Sequence, residues 1–422
     1  MRRIALGLLV VAVVLMGRTA AARLGFGAGY APPALAASYS ELSAAPDGAR
    51  TWFGEPMQVR HGDYVYIGYV DTSGNVALRV RDLVAATTGP EIVLHPALDV
   101  DDHVNPSFLV RPDGRLQAFY ARHEPLSTDM HTRVSVNTLA SDPTLSGGFA
   151  TEVNLDAALG ARSYDYPFPI YLSAEGTIYL FWRNIPSGSN YDLWYATSSD
   201  GDTWSAGTKL FGDTYAYWKM ATNGVDRIDF AVSDHSPNIG TTKLAHFYYQ
   251  SGTWRGSAGA SLGTPPFTFA GLTLVYDATN SWVWDINYVG GNPVILFPAW
   301  PGSFSDTRYR YASWNGSAWS SLEICAAGGG IDSTGVYSGG IAFDKIDANI
   351  VYASRQVSGQ WEVYRYTKSG ASFSEQAITS GSPSKNIRPS GVWNADSRLR
   401  VVWMVGAYSG YTSFNTGLRG AP

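Results

Sequence analysis

One unit recurs along this chain and limits its fold more than any other feature: an apolar strand, a polar or glycine turn, and a second strand rich in Tyr, Phe, Val and Trp. The clearest copy is DDHVNPSFLVRPDGRLQAFYARHE, residues 101–124. There Pro112-Asp113-Gly114-Arg115 is a turn between Phe108-Leu109-Val110 and the run 116–120. Further copies cover 57–67, 166–183 (turn at Ala174-Glu175-Gly176), 217–235 (Asn223-Gly224), 282–300 (Gly290-Gly291-Asn292), 340–355 (Asp347-Ala348-Asn349) and 388–403 (Asn394-Ala395-Asp396), seven in all. Between them lie outer segments of strand, turn and aromatic residue, as from Leu193-Trp194-Tyr195 to Trp204. The repeat averages about 50 residues, the length of a four-stranded propeller blade rather than of a solenoid turn. The expectation is an all-β, seven-bladed β-propeller over 38–422, with 38–53 adding an outer strand to the last blade and so closing the ring.

Compartment is read from the first residues. Arg2 and Arg3, an apolar run over 4–16 and the small residues Ala20-Ala21-Ala22 form a secretory signal over 1–22, although Ala34-Leu35-Ala36 offers a second cut site near 37. A secreted or periplasmic protein is expected, with no membrane span in the mature chain. The single cysteine, Cys325, excludes an intramolecular disulfide, so a large core must supply stability. A net charge of −5 argues against a nucleic-acid partner. Nothing calls for more than a monomer.

Open ends of successive propeller hairpins surround one mouth. A turn centred between Asp113 and Gly114 sets His103 opposite His123 at that end. The next hairpin brings Tyr166 and Arg183, and the one after it Tyr217 and, in looser register, His235. Guanidinium, imidazole and phenol groups suit β-elimination from a uronic acid, which needs a cation for the carboxylate, a base for the C5 proton and an acid for the departing O4. The same residues also serve as satisfied structural histidines, as packing or sugar-stacking aromatics, or as an arginine paired with a neighbouring carboxylate.

Several runs sharpen this. Asp102-His103-Val104-Asn105-Pro106-Ser107, Phe119-Tyr120-Ala121-Arg122-His123, Tyr166-Pro167-Phe168-Pro169, Phe181-Trp182-Arg183, Tyr217-Trp218-Lys219 and Asn386-Ile387-Arg388-Pro389 resemble the propeller-fold ulvan lyases and their BNR-repeat relatives. Ser198 to Trp204, SSDGDTW, resembles a shortened Asp-box, whose role is structural. The resemblance implies His103 and Tyr166 as the proton-transfer pair, His123 assisting, and Arg183 neutralising the uronate. Tyr217, Arg122 and Arg388 would bind substrate. Tyr164 competes with Tyr166 for the catalytic slot, and Val104 stands where many relatives carry a polar residue.

The resemblance also implies a structural zinc, for which His235, His246 and Cys325 are the candidates; the alternative leaves His246 packed on an outer strand and Cys325 a small buried hydrophobe. No catalytic cofactor is expected. His61, His95 and His131 read as surface or turn residues. The expected function is a secreted lyase of uronate-containing, ulvan-like acidic polysaccharide. Two alternatives stand beside it: a rhamnosidase-like glycoside hydrolase, with Asp101, Asp102 and Glu124 as its only visible carboxylates, and a non-catalytic glycan-binding propeller.

Overall fold

The computed structural model describes residues 45–123, 129–160, 163–185 and 191–422. The leader, 38–44 and Glu124 lie outside them. From Gln58 the chain runs as seven successive antiparallel meanders. Their first strands are Gln58–His61, Ser107–Val110, Asp165–Leu172, Tyr217–Thr222, Asp285–Val289, Ile341–Phe343 and Lys385–Asp396. Each pairs with the strand that follows it, as the hairpin pattern requires.

One cavity of about 530 Å³ is lined by Val59, Leu109, Ile170, Thr222, Ile286, Ile346 and Trp393, one residue from each meander. Meanders arranged in this way around one axial cavity make a β-propeller. The turns Asn223-Gly224 and Asn394-Ala395 border this cavity, so it opens at the turn end of the hairpins.

Closure takes two contacts between the ends of the ring. Val59 bridges Trp393 in parallel, joining the first and last innermost strands. Outside the last blade, the amide of Gly48 donates to the Thr416 carbonyl at 2.6 Å, and that of Leu418 to the Ala45 carbonyl at 3.0 Å. Residues 45–48 therefore cover the edge of Ser413–Ala421, as expected. The rest of the expected strand behaves differently. The amide of Thr51 donates to the Asp102 carbonyl at 2.9 Å, and Trp52 stacks on Trp284 with ring centroids 3.7 Å apart, so 50–55 turns inward beneath the mouth.

The blades are cemented by large rings. Trp182, Trp282, Trp284 and Trp403 are all fully buried, and truncating such a side chain to Ala costs about 3–5 kcal/mol because the ring cannot be replaced by collapse. The Asp-box is structural, as expected. Asp200 accepts from the amides of Asp202 and Thr203, and the Trp204 indole donates to the Gly201 carbonyl. Among the described residues no helix is long and apolar enough to cross a membrane.

Candidate active site

The second hairpin pairs Ser107 with Phe119 and Val110 with Leu116, a register that extrapolates to His103 opposite His123. Gly114, at φ +82°, supplies the left-handed turn residue that sets it. His103 itself stands on a single 3-10 turn, Asp102–Val104, capped by Asp101, whose Oδ1 accepts the His103 amide at 2.9 Å. The two imidazoles stack with centroids 4.0 Å apart and planes 14° apart.

Asp101 joins them. Its Oδ1 lies 2.6 Å from Nδ1 of His103 and its Oδ2 2.9 Å from Nδ1 of His123. A carboxylate only accepts, so both rings carry their proton on Nδ1 and present Nε2 as a lone pair. Burial pushes the Asp101 carboxyl upward, but the two imidazoles outweigh it and hold the group well below the usual carboxylate range. Burial, then the neighbouring His123, lowers His103. For His123 burial acts downward and is overcome by the bond to Asp101 and the charge of Asp165, so its net shift is upward.

Tyr166 completes the line. Its strand is irregular between Asp165 and Phe168, and Tyr166 sits in that bulge at φ +56°, a conformation costing about 1–3 kcal/mol in a non-glycine residue. The bulge turns the phenol toward the mouth, where its hydroxyl lies 3.2 Å from Nε2 of His123. Burial raises Tyr166 well above its ordinary value, with the Arg183 charge opposing, so the hydroxyl stays protonated.

Arg183 is buried behind Tyr166. Its Nε and Nη2 donate to one oxygen of Asp165 at 3.0 and 2.7 Å, and its guanidinium carbon lies 4.2 Å from the Tyr166 ring centroid and 4.4 Å from that of Tyr191. Tyr217 lines the same wall, 5.5 Å from the guanidinium and 5.0 Å from Phe53. Burial pushes Tyr217 up to about 12, against the pull of Arg183.

Several expectations need correction. His103 is not the group that faces solvent: its side chain is 1% exposed against 21% for His123. Tyr164 is excluded from the mouth, fully buried beside Trp182 with its hydroxyl on Asp156 at 3.0 Å. Arg388 is engaged within the protein rather than set at the open mouth. Nη1 reaches Asp102 Oδ2 at 2.5 Å and the Arg50 carbonyl at 2.9 Å, Nη2 reaches the Tyr408 hydroxyl at 2.6 Å, and the residue is 3% exposed. Arg122, next to His123 along the chain, is close enough to His131 for its charge to act on that imidazole.

The zinc set does not assemble. Nδ1 of His246 meets Ser257 at 2.9 Å and Nε2 meets Asp229 at 3.0 Å, so neither nitrogen is available. His235 lies beyond the strand that pairs with Tyr217, whose partner is Ser233, and its nearest carboxylate is Asp234 at 3.5 Å. Cys325 interacts with Tyr366 and Arg355 of the following blade, and burial raises its thiol to about 11. His95 and His131 are not isolated surface groups either: their ring centroids are 5.1 Å apart.

Sequence reasoning missed Asp101 as the bridge, Phe53 from the inturned segment, and Tyr411, 41% exposed and edge-on to both histidines at 5.1 and 5.9 Å. Asp101 carried a usable signal, since an aspartate two residues before a histidine readily caps a turn and reaches the ring. Phe53 and Tyr411 come from distant segments with no local pattern.

Residues 64–326 match the BNR repeat-containing family, and the chain belongs to it. Among solved structures, a polysaccharide lyase of a new family, an ulvan lyase bound to a GlcA(1-4)Rha3S repeat, superposes with a TM-score of 0.68 at 13% identity, over 91% of this chain and 94% of that one. The polysaccharide lyase Uly1 gives 0.59 at 11% identity, covering 87% of this chain and 89% of its own. A puromycin hydrolase gives 0.52 at 11% identity over 87% of this chain, but only 52% of its own. At these identities likeness shows the propeller, and the chemistry must be argued from the site. No curated protein matches the chain.

Proposed function

We propose that the protein is a polysaccharide lyase that cleaves a uronate-containing acidic polysaccharide by β-elimination, with an ulvan-like glucuronate or iduronate next to rhamnose as the substrate class. One observation carries this reading: the line Asp101, His123, Tyr166, in which a buried carboxylate orients an imidazole whose free nitrogen meets a phenol that stays protonated. Elimination needs a base and an acid side by side, and the pair supplies both. The ulvan lyase and Uly1 likenesses support it at the level of fold.

The roles follow from exposure and charge. His123, the more exposed imidazole, takes the C5 proton on Nε2 while Asp101 holds Nδ1–H and stabilises the imidazolium that forms. Tyr166 then delivers its phenolic proton to O4 as that oxygen departs, leaving the C4=C5 double bond in the product. His103 shares Asp101 from beneath and keeps the carboxylate aimed. Arg183 is the cation of this wall, but two of its nitrogens already hold Asp165, so it contributes less to the uronate charge than a free guanidinium would. Its larger role is to fix the Tyr166 ring.

A glycoside hydrolase is disfavoured on the same observations. It needs a free carboxyl pair, whereas Asp101 and Asp102 are both buried and bonded to cations or imidazoles. Products decide between lyase, hydrolase and silent binder: unsaturated uronate absorbing in the near ultraviolet, saturated sugar, or none. Export of the mature chain, expected from its leader, is tested by N-terminal sequencing of the protein recovered outside the cytoplasm.

A further inference from the structure

Away from the mouth, two blades bring together a donor set that the proposed reaction does not use. His95 closes the strand Ile92–His95 of the first blade, His131 lies on Met130–Val134 of the second, and Glu152 precedes Val153–Asn154. Nδ1 of His95 lies 2.8 Å from Oε2 of Glu152, and Nδ1 of His131 lies 3.0 Å from Oε1. All three donor atoms fall within 4.8 Å of one another.

We propose that His95, His131 and Glu152 bind one zinc ion that ties the first blade to the second. Nδ1 of His131 is buried and makes no hydrogen bond, although the carboxylate is 3.0 Å away, so it is an unpartnered donor atom within the cluster. The Tyr120 hydroxyl donates to Oε2 of Glu152 at 2.6 Å and its ring stacks on His131 at 5.7 Å, fixing both ligands from behind.

Two imidazole nitrogens and one carboxylate oxygen suit zinc, whereas calcium and magnesium favour all-oxygen shells. Zinc bonds of about 2.0–2.2 Å in a tetrahedron set ligand atoms about 3.3 Å apart, so each imidazole–carboxylate pair, at 2.8 and 3.0 Å, opens by only a few tenths of an ångström on loading. His95 and Glu152 keep side-chain exposures of 24% and 27%, which gives water access to the fourth position.

The test is zinc titration of the chelator-treated full chain, read by calorimetry, metal content and melting temperature. One equivalent should bind and raise Tm by about 5 °C or more at saturating zinc. His95→Gln and His131→Gln should each weaken binding about 100-fold or more, and Tyr120→Phe about 10-fold or more. If His131→Gln does not fold, His95→Gln, at its partly exposed position, decides. No stoichiometric zinc, binding that survives His95→Gln, or binding lost instead in His123→Gln at the mouth would each overturn the proposal. None of these outcomes depends on the lyase reading, because no step uses catalysis.

Discussion

The Tyr166 hydroxyl lies 3.2 Å from Nε2 of His123, and the opposite nitrogen of that ring rests on the buried Asp101 carboxylate at 2.9 Å. Two residues from successive blades thus share a proton path whose direction is set by a third. The carboxylate fixes the tautomer, the tautomer makes Nε2 an acceptor, and burial keeps the phenol protonated.

The pH dependence of turnover follows from this. His123 must be neutral to act as base, and its value is raised above 6.5, so turnover should rise with pH through a midpoint above 6.5. Tyr166 is raised well above 10.0, so no alkaline loss from the acid should appear below that pH. The limb belongs to the stacked His103–His123 pair rather than to one ring. In Asp101→Asn the limb should move to lower pH and kcat should fall about 100-fold or more, because the carboxylate no longer favours the charged ring or fixes its tautomer.

The same pairing links pH to stability. Asp101 is depressed, so its contribution is present above the ordinary carboxylate pKa of 3.8 and is lost as pH falls through its folded value. His123 is raised, so its share is full below 6.5 and is lost as pH rises through its folded value. Urea unfolding of wild type against Asp101→Asn should therefore differ most near pH 5, by about 1–3 kcal/mol, narrow as pH rises and His123 loses its proton, and vanish only where acid protonates Asp101.

Tyr164 and Tyr166 differ by environment. Tyr166→Phe should fold normally and lose about 100-fold or more in kcat. Tyr164→Phe removes one hydrogen bond to Asp156, should cost about 1 kcal/mol of stability, and should leave kcat within about twofold of wild type.

Most of the architecture was legible because strand, turn and strand are local. Hairpin register follows from turn position, which is why His103 and His123 were placed together from residue numbers alone, whereas the looser register read for the Tyr217 hairpin gave His235 where the pairing puts Ser233. What escaped was non-local or off-register. The Tyr166 bulge shifts pairing so that Asp165, not Tyr166, faces Arg183 and captures it. Tyr164 was misplaced because the bulge at Tyr166 breaks the two-residue alternation that would set both phenols on one face. His95 and His131 meet only because the first and second blades pack together, and no spacing encodes that.

Arg388 tests the account of the buried charges. Removing it leaves Asp102 buried with only Tyr408 and His103 nearby, so Arg388→Ala should cost about 3–5 kcal/mol in denaturant unfolding. An unchanged midpoint would mean that this pair does not hold the last blade to the mouth.

The most direct measurement is near-ultraviolet absorbance during incubation with uronate polysaccharides, ulvan included, for wild type, His123→Ala and Tyr166→Phe. The account predicts that absorbance rises with wild type and that both variants, folded by circular dichroism, reduce the rate about 100-fold or more. Saturated products, no products from any member of the panel, or wild-type rates in His123→Ala would contradict it.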